Sequence, residues 1–283
     1  MDVPLGLIAG GGEFSLEVAR AVRSRGRRVH AIGFHAVTPP TLDAFVDRID
    51  WLYLGELERL RDRFRSTGVS DVVMAGKVDK RHLFVEPEAH RADATALSLV
   101  GRLRDRQDDS ILGVLADWLE SEGLRLRPQG EMAPELLAPA GQLGDVVPTE
   151  RAMGDLAFGW PIAESVAALG LGQCIVVNEK AVVAVEAMEG TDETILRAGR
   201  LAGPGATVIK LPRPGQDTRY DLPAIGAGTV AAMAEAEAEQ LVYAAGRTVL
   251  LERDRLIEAA ERVGIGLFGH EAEARSGERD RRR

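Results

Sequence analysis

The segment Asp217-Thr218-Arg219-Tyr220-Asp221 sets two carboxylates around a guanidinium, and Pro212, Pro214 and Pro223 stiffen the loop that carries them. Arg219 suits two-point contact with a phosphate. Asp221 could hold Mg²⁺ or orient an attacking water. An internal Asp–Arg pair that merely pins the loop is the competing reading. A second acidic segment runs from Ala184 to Asp192. Glu186 falls in a stretch that reads as an apolar strand, where a carboxylate is costly unless it is paired or bound to a cation. Glu189 and Asp192 follow at the turn into a helix. Gly190 and Thr191 there offer backbone N–H groups and a hydroxyl to an anion. Simple capping accounts for Thr191 equally well, but not for Glu186.

Gly10-Gly11-Gly12 stands between an apolar run and a helical pattern. Glycines at such a point let a backbone approach a phosphate, and the helix start adds free N–H groups and a partial positive charge. The dinucleotide fingerprint is incomplete, because Ser15 occupies its third glycine position. The second strand ends Gly33-Phe34-His35, without the acid that would hold a ribose. Ala75-Gly76-Lys77 ends another strand, so in a parallel sheet Lys77 opens on the same edge as the glycines and could reach a phosphate. No His/Cys cluster suggests zinc, and neither a Walker lysine pattern nor a GxSxG elbow is present. Taken together, the residues indicate hard oxygen ligands, a divalent cation and a phosphate-bearing substrate.

The elements that must position these groups alternate. Strand patterns at 5–9, 28–34, 51–55 and 71–76 are interleaved with helical patterns at 13–26 and 56–67, then at 92–105 and 108–122. This spacing predicts a Rossmann-like parallel sheet with helices on both faces. A Pro- and Gly-rich stretch follows, and the α/β pattern resumes with a helix near 150–168 and a hairpin turning at Asn178-Glu179-Lys180. The expected organisation is a Rossmann-like domain over 1–130, a linker over 131–149, a mixed α/β catalytic domain over 150–272, and a disordered basic tail over 273–283.

The chain has 283 residues, 45% of them hydrophobic, and a formal net charge of −9. That length suits two domains with separate cores. An acidic balance without a basic face argues against a nucleic-acid partner. The single cysteine, Cys174, lies in an apolar run and reads as a buried core thiol in a reducing cytoplasm. The amino terminus lacks signal-peptide character, and no apolar run approaches the roughly 20 residues needed to span a bilayer. A cytoplasmic protein without stable membrane insertion is expected.

Four segments carry a resemblance to a known family: residues 5–19 (LGLIAGGGEFSLEVA), 72–78 (VVMAGKV), 182–199 (VVAVEAMEGTDETILRAG) and 216–230 (QDTRYDLPAIGAGTV). They resemble, in the same order, the UDP-2,3-diacylglucosamine pyrophosphatases of lipid A biosynthesis, in the form built from two α/β domains. The resemblance runs from about residue 5 to about residue 270, and the last two segments are the specific ones. It implies hydrolysis of UDP-2,3-diacylglucosamine to UMP and 2,3-diacylglucosamine 1-phosphate, with water directed at the sugar-side phosphorus. It also implies dependence on Mg²⁺ or another divalent cation and a homodimer, while transient contact with the inner membrane stays open. Asp221 matches the family's essential aspartate. The expected assignments follow. Asp221 and Arg219 are catalytic. Gly10, Gly11, Gly12, Lys77, Gly190, Thr191 and Thr218 bind substrate. Asp221, Glu186, Glu189 and Asp192 hold the metal. Residues 35–50 and 128–147 carry no match. A nicotinamide-dependent oxidoreductase and a non-catalytic nucleotide-sugar or lipid-binding module are the rival readings.

Overall fold

The computed structural model describes residues 3–78, 91–103 and 108–271, so the basic tail expected over 273–283 lies outside the described residues. The chain divides into two units. The first contains the chain up to Leu136 together with Asp217–Leu222; the second contains Leu137–Gln216 and the chain from Pro223 onward.

In the first unit β1 (Leu5–Ala9), β2 (Val29–Phe34), β3 (Arg48–Leu52), β4 (Asp71–Ala75) and β5 (Arg125–Leu126) form one sheet in the order β3-β2-β1-β4-β5. Every pairing is parallel, with Leu5 aligned to Val29 on one side and to Asp71 on the other. Residues of β1 and β2 are buried throughout, because alternate side chains enter two cores. Ile8, Ile32 and Met74 pack with Phe64 and Leu119 on one face. Leu7, Ala31 and Val73 pack with Leu16 and Val22 on the other. The first face is covered by α2 (Leu57–Ser66), α3 (Ala94–Gly101) and α4 (Asp108–Ser121), the second by α1 (Glu13–Ser24). β3 ends at Leu52, short of the expected 51–55, because the Tyr53 N–H turns to the Glu56 carboxylate at 2.8 Å.

The second unit holds a mixed sheet in the order β6-β13-β11-β9-β7-β8. Its strands are β6 (Gly141–Leu143), β7 (Cys174–Asn178), β8 (Ala181–Val185), β9 (Thr207–Lys210), β11 (Gln240–Ala244) and β13 (Gly266–His270). β9, β11 and β13 run parallel, and β6, β7 and β8 run antiparallel to their neighbours. β10 (Ala224–Ile225) and β12 (Val249–Leu250) pair separately. The β7–β8 hairpin turns through Glu179 and Lys180, both at positive φ as a twist-matched two-residue turn requires. The α6 helix (Glu150–Ala168) packs Leu156 and Trp160 against one face of the sheet. Three helices pack on the other: α7 (Thr191–Ala202), α8 (Ala227–Glu235) and α9 (Arg253–Arg262). Cys174 is buried there, and burial pushes its thiol up to about 12.

Residues 131–149, read from sequence as a linker, carry structure of their own. A short helix, α5 (Gln129–Met132), and a 3-10 turn (Pro134–Leu136) belong to the first unit, and β6 adds an edge strand to the second. The glycines in this stretch serve turns, with Gly141 and Gly144 at φ 79° and 78°. Among the described residues no helix is long and apolar enough to cross a membrane.

Candidate functional site

The sheet of the first unit turns its strand carboxyl ends toward one edge, the usual ligand edge of a parallel α/β sheet. Gly10–Gly12 leave β1 on this edge and Gly76-Lys77 leave β4 beside them. The two connections touch. Gly10 donates to Ala75 O at 2.7 Å, Gly11 to Lys77 O at 2.7 Å, and Lys77 to Gly11 O at 2.9 Å. A Cβ on Gly10 would stand 2.7 Å from the Gly76 carbonyl carbon, so glycine is required for the chains to cross. The Gly10 and Gly11 amides are therefore engaged with protein. The groups left for an anion are Gly12, which starts α1 at φ 83° without a side-chain cap, and the exposed Lys77. Ser15, which spoils the dinucleotide fingerprint, is buried and donates to Gly10 O and Gly12 O at 3.3 Å, closing the loop on itself.

The loop bearing Asp221 sits on this same unit. Gln129, 4% exposed, donates its side-chain amide to Met74 O at 2.7 Å and its backbone N–H to Thr218 O at 3.1 Å. It thereby ties residues 217–222 to the carboxyl end of β4. Inside the loop, Asp217 accepts from Arg219 Nε at 3.0 Å and Nη2 at 2.7 Å, and Arg219 Nη1 lies 3.6 Å from Glu120. The Arg219 hydrogen bonds hold the Asp217 carboxyl below the usual carboxylate range. The internal ion pair is thus Asp217–Arg219. Asp221 is half-buried, and its N–H donates to Asp217 O at 3.0 Å, closing one helix-like turn. Thr218 is exposed.

The second acidic segment lies in the second unit. Glu186 follows the last residue of β8. Its carboxylate accepts from the Gln173 N–H at 3.0 Å and from the Thr191 hydroxyl at 3.0 Å. A carboxylate in an apolar stretch is thus satisfied by clamping the start of β7 to the start of α7. Glu189 accepts from Arg197 at 2.6 Å; backbone hydrogen bonding and then Arg197 lower its pKa. Gly190, at φ 84°, starts α7 without a side-chain cap, and Asp192 is exposed in its first turn.

Two groups escaped sequence reasoning. Lys210, 8% exposed at the end of β9, donates to Ala224 O at 3.0 Å. Its position last in a buried strand was the available signal. His35 packs 4.7 Å from the Tyr53 ring, over which the Arg91 guanidinium lies at 4.0 Å. This aromatic ledge leaves β2 and β3 on the ligand edge of the first unit. A cavity of about 200 Å³ lined by Leu5, Val22, Arg25, Arg27, Glu131 and Met132 opens at the amino end of β1, away from that edge.

Residues 4–136 match the family model described as the LpxI N-terminal domain, and residues 139–268 match the LpxI C-terminal domain. The chain belongs to the LpxI family. A relative from Caulobacter vibrioides, named UDP-2,3-diacylglucosamine pyrophosphatase LpxI, is 32% identical over 279 residues, which is 96% of this chain and 99% of the relative. Two solved structures share little with it. Glycinamide-RNase-transformylase T from Mycobacterium tuberculosis has a TM-score of 0.25 at 20% identity, over 65% of this chain and 44% of that one. The biotin carboxylase domain of a thermophilic 2-oxoglutarate carboxylase has a TM-score of 0.23 at 14% identity, over 61% and 46%. Neither superposition bears on function. Membership of the LpxI family sets the nicotinamide reading aside, in keeping with Ser15 and His35 at the positions where a dinucleotide fold needs a glycine and an acid.

Proposed function

We propose that this LpxI-family hydrolase acts on the pyrophosphate bond of UDP-2,3-diacylglucosamine, releasing UMP and 2,3-diacylglucosamine 1-phosphate in lipid A biosynthesis. The observation that carries the reading is likeness over nearly the whole chain to a relative named for that activity. The carboxyl edge of the first unit supports it, with Gly12 and Lys77 for phosphate oxygens and Asp221 docked on the same sheet. Water adds to the sugar-side phosphorus, and the bond to the bridging oxygen breaks so that UMP departs. The His35–Tyr53 ledge is the surface we assign to the uracil, since a π-face accepts any base by stacking.

A divalent cation, Mg²⁺ by preference, belongs to the proposal. Such an ion is held by one or two carboxylates and the substrate's own phosphates rather than by an all-protein cage. The half-buried carboxylate of Asp221 suits that arrangement, and among the described residues no three His, Cys, Asp or Glu side chains form a cage. When bound, the ion neutralises charge on the transferring phosphoryl group. Of the other three acids, all in the second unit, Glu186 and Glu189 serve the fold through their hydrogen bonds, and Asp192 is exposed in the first turn of α7. Thr218, exposed on the same loop as Asp221, stays with substrate positioning.

The test is hydrolysis of UDP-2,3-diacylglucosamine by purified protein. Chelation by EDTA is expected to abolish turnover, and added Mg²⁺ to restore it. Asp221→Asn is expected to lower kcat by at least about 10²-fold. Excess Mg²⁺ recovers part of that loss if Asp221 is a ligand, and none if it orients water. Near-full activity in Asp221→Asn would overturn the assignment.

A further inference from the structure

The loop of residues 217–222 comes from a stretch of chain whose neighbours on both sides belong to the second unit, yet it packs as part of the first. One face of α4 receives it. Arg219 reaches Glu120, and Tyr220 packs against the same first-unit core as Leu112, Leu115 and Leu119 of α4. A Cβ on Gly113 would stand 3.6 Å from the Tyr220 hydroxyl oxygen. Positions 113 and 120 are two helical turns apart and share a face, so the loop lies along α4 with Tyr220 at one end of the seat. Tyr220 is also bonded to Asp221 in sequence, inside the turn that Asp217 closes with both backbone N–H groups, at 3.2 and 3.0 Å.

We propose that Tyr220 is the positioning residue for Asp221: its side chain, packed on the first unit's core with the hydroxyl end by Gly113, fixes the turn that aims the carboxylate at substrate. A methyl at 113 would only touch the tyrosine hydroxyl at 3.6 Å, whereas a branched side chain extending further would press on it. Ion pairs alone would hold the loop weakly, since half-exposed pairs contribute little. A half-buried aromatic ring packed against the core adds directional packing that a charge pair cannot. The inference rests on the reading of Asp221 given above.

The experiment compares steady-state kinetics of Tyr220→Ala, Tyr220→Phe and Gly113→Leu, well below each protein's melting temperature, with Asp221→Asn in parallel. Misplacement of a catalytic group by an ångström costs about 10²-fold. Tyr220→Ala and Gly113→Leu are expected to lose kcat on that scale, with KM changed by less than about threefold. Tyr220→Phe is expected to retain most of kcat, because the ring is the anchor. A tyrosine that only stabilised the fold would lower melting temperature and leave kcat of the folded enzyme unchanged, and that result overturns the proposal. So does a Phe variant as impaired as the Ala variant. If Tyr220→Ala does not fold, Gly113→Leu and Tyr220→Phe decide between the same outcomes. An active Asp221→Asn would instead remove the reading beneath the proposal, which is a separable failure.

Discussion

Asp221, Asp217 and Arg219 look interchangeable as a charged triplet, and the backbone separates their roles. The guanidinium fork closes on Asp217 at 2.7 and 3.0 Å, which keeps Arg219 inside the loop. Asp221 enters the same turn through its backbone, donating its N–H to Asp217 O at 3.0 Å. Glu186 shows the same division of labour, because both its oxygens meet donors of its own unit. A different titrating group reports on stability. His30, 2% exposed in β2, meets Asp50 at 2.8 Å and Thr67 at 2.7 Å. Burial lowers its pKa, and the Asp50 hydrogen bond and charge oppose this without winning. The folded state therefore prefers neutral His30, while the unfolded chain protonates near 6.5. Stability from this site is present above that pH and is lost as pH falls through it toward the folded value. Urea midpoints between pH 7.5 and 5.5 are expected to fall more steeply in the wild type than in His30→Gln. Equal slopes would show that burial does not control this imidazole.

At the level of elements, the glycine loop after β1 was read as a phosphate cradle and is first a joint. Gly10 and Gly11 join the β4 connection through three backbone hydrogen bonds, and Gly10 meets Gly76 too closely for any side chain. Gly10→Ala is expected to destabilise the fold by about 1–3 kcal/mol, the usual cost of overpacking. Calorimetry would register roughly 2–4 °C of melting temperature for each kcal/mol. An unchanged Tm would mean that the two connections can part without cost. Lys77 is held beside Gly12 by this joint, so the substitution should also raise KM. The β7–β8 hairpin behaves differently, since its turn residues and apolar alternation were legible without any partner.

Across the whole molecule, the decisive feature is that six residues following Gln216 pack with the first unit while the chain around them builds the second. Cooperative units open together, so amides should report the unit they pack in rather than their place in the chain. In native-state hydrogen exchange, the Tyr220 and Asp221 amides are expected to lose protection in the same denaturant range as β1 and β4. Exchange in step with β7 and β9 would contradict the assignment of the loop to the first unit. The aspartate proposed for chemistry is therefore carried on the first unit, although sequence order places it deep in the second half.

Strand and helix order, the two-part division and the acidic motifs were all readable from the amino-acid sequence, because periodicity, turn residues and motif order are local properties. The full-length resemblance to lipid A pyrophosphatases was readable for the same reason. What needed tertiary structure was every choice among partners. Sequence showed that Glu186 had to be satisfied, but not that Gln173 and Thr191 would do it. It showed an arginine between two aspartates, but not that the fork would close on Asp217. It suggested a linker at 131–149, where the structure has the short elements that finish both units. The docking of Tyr220 on α4, over a hundred residues earlier in the chain, has no local signature, since packing between distant segments depends on shapes that exist only once both have folded.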